Sequence, residues 1–103
     1  MTTKYRDARI VLEELLGPVS FGELIKSLRL AEELTQVEMA KKLKVSKQEL
    51  CDIEKGRKFI SVERAVYFAK KLKHSDKLFA KYVIEDQLRK SGLNLKVHFD
   101  DAA

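Results

Sequence analysis

Apolar residues recur at helical spacing along most of the chain, and five of the apolar stretches follow a serine or threonine that can cap a helix. In three cases a glutamate follows three positions later, which is the pattern of a capping box at the start of a helix. These pairs are Ser20 and Glu23, Thr35 and Glu38, and Ser46 and Glu49. Ser61 and Ser75 precede two further apolar stretches. The predicted helices span residues 4–16, 21–33, 36–43, 46–54, 61–72 and 76–91.

The pattern changes from residue 93 onward, where apolar and polar residues alternate. Leu93, Leu95, Val97 and Phe99 would lie on one face of such a segment, which is typical of a β-strand with one buried side. Because a single strand cannot satisfy its own edge groups, we expect it to pair with the same strand of a second copy in a two-fold dimer. The alternative is a tail that packs on the last helix of its own chain.

The segment from Thr35 to Gly56 contains two short capped helices joined by a tight turn. Residues 43–45 form the corner, and Gly56 follows the second helix at a position suited to left-handed backbone. The second helix buries Leu50 and Ile53 and leaves a polar face exposed. This arrangement predicts a helix-turn-helix, a motif whose second helix enters the DNA major groove.

The polar face of that second helix has side chains that can read bases. Lys47 can donate to guanine, and Gln48 can bond adenine at two atoms. Asp52 can accept from cytosine or repel phosphate, and Cys51 can touch a thymine methyl or act as a redox-sensing thiol. For each, the alternative is an ordinary solvated side chain. At 100° per residue one arc of about 140° holds Lys47, Gln48, Cys51, Asp52 and Lys55.

Charge and composition favour a nucleic-acid partner. The net charge is +5, and residues 41–58 alone contain seven basic and three acidic residues. A length of 103 residues suits one small domain. The single cysteine, Cys51, excludes an intramolecular disulfide and indicates a reducing compartment. The first residues lack the apolar region of a signal peptide and no apolar run is long enough to span a membrane, so we expect a cytoplasmic location.

Signs of catalysis or of a bound cofactor are lacking in the sequence. His74 and His98 have no metal-ligand spacing with each other or with Cys51. The chain has no glycine-rich phosphate-binding loop. We therefore predict a protein that is not an enzyme and holds no metal and no cofactor.

Residues 20–73 resemble the phage-repressor, or XRE, family of helix-turn-helix domains. The resemblance rests on Arg29, Leu34, Thr35, Gln36, Met39, Ala40, Leu43, Val45, Ser46, Leu50, Ile53, Glu54 and Gly56. It implies an all-α, lambda-repressor-like DNA-binding domain of five helices. The remainder is then an N-terminal helical extension at 1–19 and a C-terminal helix and strand at 74–103 for dimerisation. Lys44 departs from the family, which usually has glycine at this corner.

The resemblance also implies roles for individual residues. The residues that would face the bases are Lys47, Gln48, Cys51 and Asp52. The residues that would contact phosphates are Gln36, Lys55, Arg57 and Lys58. Arg29 and Glu54 would form a partly buried pair that fixes the recognition helix on its neighbour.

These observations together predict a sequence-specific regulator that binds double-stranded DNA, most simply as a repressor. A dimer would place two recognition helices about 34 Å apart on a palindromic operator. Small proteins with this domain and a short extra segment also resemble antitoxins that repress their own operon, in which case a toxin is a second partner. The alternative class is a protein-interaction or scaffold module that uses the fold without DNA.

Overall fold

Five α-helices make up the regular structure of the computed structural model, which describes residues 19–100. Their bounds are Phe21–Ala31 (α1), Gln36–Leu43 (α2), Lys47–Glu54 (α3), Val62–Leu72 (α4) and Asp76–Lys90 (α5). The all-α class is confirmed for this part of the chain, and the helix ends fall within two residues of the prediction. The helix predicted at 4–16, and with it nearly all of the extension at 1–19, lies outside the described residues.

All five helices follow a serine or threonine whose hydroxyl accepts the backbone N–H of a residue three positions on. The capping boxes predicted at Ser20 and Thr35 are complete. At Ser46 only the hydroxyl half forms: the Glu49 N–H donates to Ser46 Oγ at 2.9 Å. The Glu49 carboxylate binds Arg64 instead of returning the bond, because the guanidinium offers a charged donor.

Two helices end in a left-handed residue that is not glycine. Lys44 ends α2 and Lys73 ends α4, each with φ of 59°. The angle at Lys44 confirms that this corner is a position where glycine would be unstrained. A side chain with a Cβ costs about 1 kcal/mol here. Gly56 has φ of 76° just after α3, as expected for the residue that reverses the chain.

A single core lies between the five helices, and α4 packs most extensively on α5. Its α5 members Phe79, Tyr82 and Val83 join residues from the other helices, so the core extends beyond residue 73. Leu30, predicted to face inward, is instead 55% exposed. It lies about 140° around α1 from the fully buried Ile25, on the opposite side of the helix.

The start of α1 is closed by α5. The Phe21 N–H donates to Asp86 Oδ2 at 2.9 Å, and Arg89 pairs with the same carboxylate. The rings of Phe21 and Phe79 meet edge to face with centroids 5.7 Å apart. Burial raises the pKa of Asp86 above its ordinary value, against the opposing effect of the hydrogen bond from Phe21. An acidic group therefore caps α1 from a distant part of the chain.

The C-terminal strand prediction is wrong for this chain: from residue 93 to 100 the backbone has no regular secondary structure. Alternation alone does not make a strand, since the edge groups need a second strand. The tail is instead held on α5, where the Val97 N–H donates to Glu85 Oε2 at 2.9 Å. This agrees with the alternative of a tail packed on its own last helix. Three tail side chains remain largely exposed: Leu93, Leu95 and Phe99.

Candidate nucleic-acid interface

The inner side of α3 is fixed to α1 by a buried ion pair. Arg29 Nε donates to Glu54 Oε2 at 2.7 Å, and Arg29 Nη2 donates to Glu54 Oε1 at 3.1 Å. The side chains are only 11% and 3% exposed. Arg29 Nη1 also donates to the carbonyl oxygen of Leu34 at 3.0 Å. The two residues proposed as a structural pair are thus in direct two-point contact, which fixes the end of α3 on α1.

Gln36, proposed as a phosphate contact, lies at the first position of α2 and joins this pair. Its Nε2 donates to Glu54 Oε1 at 3.1 Å. An amide nitrogen has two hydrogens, so one hydrogen remains for a phosphate oxygen while the other holds Glu54. Gln36 therefore links the buried pair to the surface at the beginning of the motif.

Gly22 sets the distance between α1 and the end of α3. A Cβ at this position would lie 2.2 Å from the Ile53 carbonyl oxygen and 2.8 Å from that of Glu54. Sequence reasoning did not find this role. The signal was available, because a glycine in the first turns of a capped helix costs about 1 kcal/mol relative to alanine and so indicates close packing.

The outer side of α3 brings the proposed base-facing residues together. Lys47, Gln48 and Lys55 are exposed, whereas Cys51 and Asp52 are partly exposed between them. Within residues 19–100 no ion pair or hydrogen bond between side chains occupies the ammonium groups of Lys47 and Lys55. Both positive charges are therefore available to a polyanion.

Three side chains on this outer side form a connected network, which we name the outer triad: Gln48, Asp52 and Arg57. Asp52 Oδ1 accepts from Gln48 Nε2 at 3.1 Å, from Arg57 Nε at 3.2 Å and from Arg57 Nη2 at 2.9 Å. The hydrogen bonds from Arg57 lower the pKa of Asp52, and the same contact raises the pKa of Arg57. Arg57, proposed as a phosphate contact, thus lies against Asp52, which is proposed to face the bases.

A third network fixes α3 to α4. Arg64 Nη1 lies 2.6 Å from Glu49 Oε2, and Lys58 Nζ lies 3.6 Å from the same oxygen. The hydrogen bond from Arg64 is the main reason why the pKa of Glu49 is below its ordinary value. Lys58, proposed as a phosphate contact, is thereby held beside α3. The role of Arg64 could not be predicted from sequence, because an arginine in the first turn of an ordinary helix has no distinctive pattern.

Among residues 19–100, no three His, Cys, Asp or Glu side chains are grouped as ligands of a metal ion. No helix within the same range is both long enough and apolar enough to cross a membrane. His74 stacks on Phe79 with ring centroids 6.0 Å apart, as a packed side chain does.

The fold and this interface define a helix-turn-helix protein, in which a capped second helix is fixed on one side and exposed on the other. Residues 20–80 match the family described as a helix-turn-helix domain. The match covers more than half of the 103 residues, so the chain belongs to this family. The finding is consistent with the XRE-like resemblance. No curated protein and no solved structure shows significant similarity to the chain.

Proposed function

We propose that the protein is a non-enzymatic, sequence-specific DNA-binding regulator that acts as a dimeric repressor in the cytoplasm. The observation that supports this most strongly is the fixed position of α3. Its end is bound through Glu54 to α1 and its first turn through Glu49 to α4, while Lys47 and Gln48 face solvent. A major-groove reader needs such a rigid helix with base-reading side chains exposed at its N-terminal end.

The charges around α3 support a polyanionic partner. Two of its three acids, Glu49 and Glu54, are held by arginines on its inner side, so their negative charge is offset there. No ion pair within residues 19–100 involves the ammonium groups of Lys47 and Lys55. Lys41 and Lys44 are exposed near the turn. Lysines placed this way would release counterions from DNA and make binding dependent on salt.

The test is selection of random duplex DNA on the purified protein at two salt concentrations. We expect a palindromic consensus with half-sites about one helical turn apart. The double variant Lys47→Ala with Gln48→Ala should lose the consensus. The matched control Lys70→Ala removes one lysine at the α4–α5 junction, where Lys70 pairs with Asp76, and should keep it. No enrichment by the unmodified protein at either salt would contradict the proposal.

Dimerisation is proposed to use the exposed apolar side chains of the tail. Leu93, Leu95 and Phe99 are 48%, 53% and 44% exposed, and their burial against a second copy would remove apolar surface from water. Replacing all three by serine should convert a dimer to a monomer in sedimentation. His98→Ser, which changes an exposed residue of the same tail, is the control. A dimer of unchanged mass in the triple variant at micromolar concentration would reject this interface.

The particular role that we propose is an autoregulating antitoxin. The tail that follows α5 has exposed apolar side chains of the kind that a toxin could cover, in addition to or instead of a second copy. The test is expression of the gene beside this one with and without the protein. Growth arrest that the protein relieves supports the role, and the absence of a toxic neighbour contradicts it.

A second candidate is an interaction module that uses the fold without DNA. Asp52 favours it, since an acid on the outer side of α3 would repel phosphates. Its carboxylate is bound by Arg57, however, which reduces that repulsion. Binding to a protein partner that is insensitive to salt and to the changes at Lys47 and Gln48 would favour the module.

A further inference from the structure

We infer that Arg57 is a positioning residue for base readout: it holds the Asp52 carboxylate on the outer side of α3 so that Asp52 accepts from a cytosine. This inference rests on the proposed function, in which α3 enters the major groove. It assigns Arg57 a role other than the phosphate contact that the sequence resemblance implied.

The backbone turn after α3 places Arg57 close to Asp52. Gly56, with φ of 76°, turns the chain back over the end of α3. The Arg57 N–H then donates to the Asp52 carbonyl oxygen at 2.8 Å, and the Lys58 N–H approaches the same oxygen at 3.3 Å. Because two N–H groups after the helix converge on Asp52, the Arg57 side chain starts beside the Asp52 side chain.

The side chains then divide the two oxygens of Asp52. Oδ1 accepts all three hydrogen bonds of the outer triad, from Gln48 Nε2 and from Arg57 Nε and Nη2. Within the described part of the chain, no hydrogen bond reaches Oδ2. The Asp52 side chain is 31% exposed, so it remains accessible at the surface. The carboxylate is therefore held at one oxygen and keeps acceptor capacity at the other.

The same network limits what Gln48 can do. An ionised carboxylate only accepts, so the amide nitrogen of Gln48 must face Asp52 and its amide oxygen is left over. Reading adenine at two atoms needs both the nitrogen and the oxygen of the amide on the base. While Gln48 is committed to Asp52, one of its two amide hydrogens is used, so the pair offers DNA the acceptor oxygens Gln48 Oε1 and Asp52 Oδ2 and the one amide hydrogen that remains.

Base chemistry selects cytosine as the partner of such an acceptor. In the major groove cytosine presents only its N4 amino donor, whereas adenine presents its N6 donor beside the N7 acceptor, and guanine presents two acceptors. A carboxylate is repelled by N7 and O6 but meets no acceptor on cytosine. The positive charge of Arg57 in the same network offsets the repulsion between Asp52 and nearby phosphates.

The test compares Arg57→Ala, Asp52→Ala and the matched control Lys55→Ala on the duplex selected by the unmodified protein and on its single-base variants. We expect Arg57→Ala and Asp52→Ala to lose preference for cytosine at the same position, by about 5- to 150-fold. Arg57→Lys should restore part of that preference. Lys55→Ala should weaken binding to all duplexes alike and reduce the salt slope by about 1.

A second readout uses the free protein. The titration of the Asp52 carboxyl, followed by carbon NMR, should lie below its ordinary range in the unmodified protein and move up in Arg57→Ala. Equal melting temperatures would show that the fold is intact. An unmoved titration, or an Arg57→Ala variant that behaves like Lys55→Ala, overturns the inference. If the selection enriches no duplex although the Asp52 titration is shifted as expected, the proposed function is overturned, and the inferred recognition of cytosine with it.

Discussion

Two arginine–carboxylate pairs lie on opposite sides of α3, and they differ in how far they are buried. Arg29 and Glu54 form the inner pair, with side chains 11% and 3% exposed. Arg57 and Asp52 form the outer pair, with side chains 55% and 31% exposed. The ionic groups are alike in chemistry, so the difference lies in access to water. A buried charge left without its partner is expensive, whereas water can replace the partner of an exposed charge.

Under the proposed function, we expect the inner pair to contribute to stability and the outer pair to contribute to specificity, although both lie on one short helix. The inner side determines where α3 stands, through Glu54, Ile53 and the close approach of Gly22. The outer side can be altered at little cost to folding, because its contacts are solvated. We therefore expect substitutions on the two sides to affect different measurements.

The largest effect is expected from breaking the inner pair. Arg29→Met leaves Glu54 buried with only Gln36 as a donor, and loss of one partner of a buried pair costs about 3–5 kcal/mol of the free energy of unfolding. Urea unfolding at neutral pH measures this change. Arg57→Met is the matched control on the outer side, where the unfolding midpoint should move little. Equal losses in the two variants would refute the distinction between the pairs.

A smaller effect is expected when the inner attachment is disturbed without touching a charge. In Gly22→Ala the new Cβ meets the Ile53 carbonyl oxygen at 2.2 Å, so α1 and α3 must move apart. Such overpacking costs about 1–3 kcal/mol. The control is Gly92→Ala, where φ of 86° strains a side chain by about 1 kcal/mol but nothing lies within 4 Å of the new atom.

Binding distinguishes the two glycine variants further. Gly22→Ala should weaken binding to the selected duplex, since the displaced helix is α3, whereas Gly92→Ala should lower only stability. If both variants bound DNA as the unmodified protein does, the position of α3 would not depend on Gly22.

The smallest effect concerns Glu49, whose side chain is 23% exposed and so intermediate between Glu54 and Asp52. Arg64 lowers the pKa of Glu49, so the unfolded state binds the proton more readily. The stabilisation is complete above the ordinary pKa of about 4.3 and is lost as the pH falls through the lowered value. Glu49→Gln should therefore flatten the acid decline of the unfolding free energy.

The pH dependence of stability expected from Asp86 has the opposite sign to that of Glu49, so Asp86 is the control. Burial raises its pKa, so the native state takes up the proton first and gains stability relative to the unfolded chain as the pH falls. Asp86→Asn removes that gain and should make the acid decline steeper. Urea unfolding of both variants from pH 7 to pH 3 checks the two signs, and changes in the same direction would contradict them.

The sequence was sufficient to predict those structural features that depend on residues close together in the chain. A hydroxyl at Ser20 or Thr35 finds its glutamate three residues on, so the helix starts could be predicted. Gly56 and the exposed face of α3 followed from equally local rules. The strand prediction for the tail was wrong for a related reason. A strand depends on a partner strand, which the alternation from Leu93 to Phe99 does not supply.

Distant partners could not be predicted from local rules. The capping-box pattern predicts that the Glu49 carboxylate returns to Ser46, three residues away, but that carboxylate binds Arg64 on the next helix. The side chain of Arg57 reaches Asp52 only because Gly56 turns the chain back. The resemblance to a family did supply the distant pair of Arg29 and Glu54, since a family pattern records contacts that no single segment contains.

The contact between Phe21 and Asp86 has a consequence for the timing of assembly. The two residues are 65 positions apart, so the first turn of α1 gains its acidic cap only after most of the chain has been synthesised. Since α1 in turn holds the end of α3 through Arg29, a nascent chain that stops before α5 lacks part of the support on which α3 rests. Completion of α5 is therefore needed before the support of α3 is complete, and under the proposed function a prematurely terminated chain would bind DNA poorly.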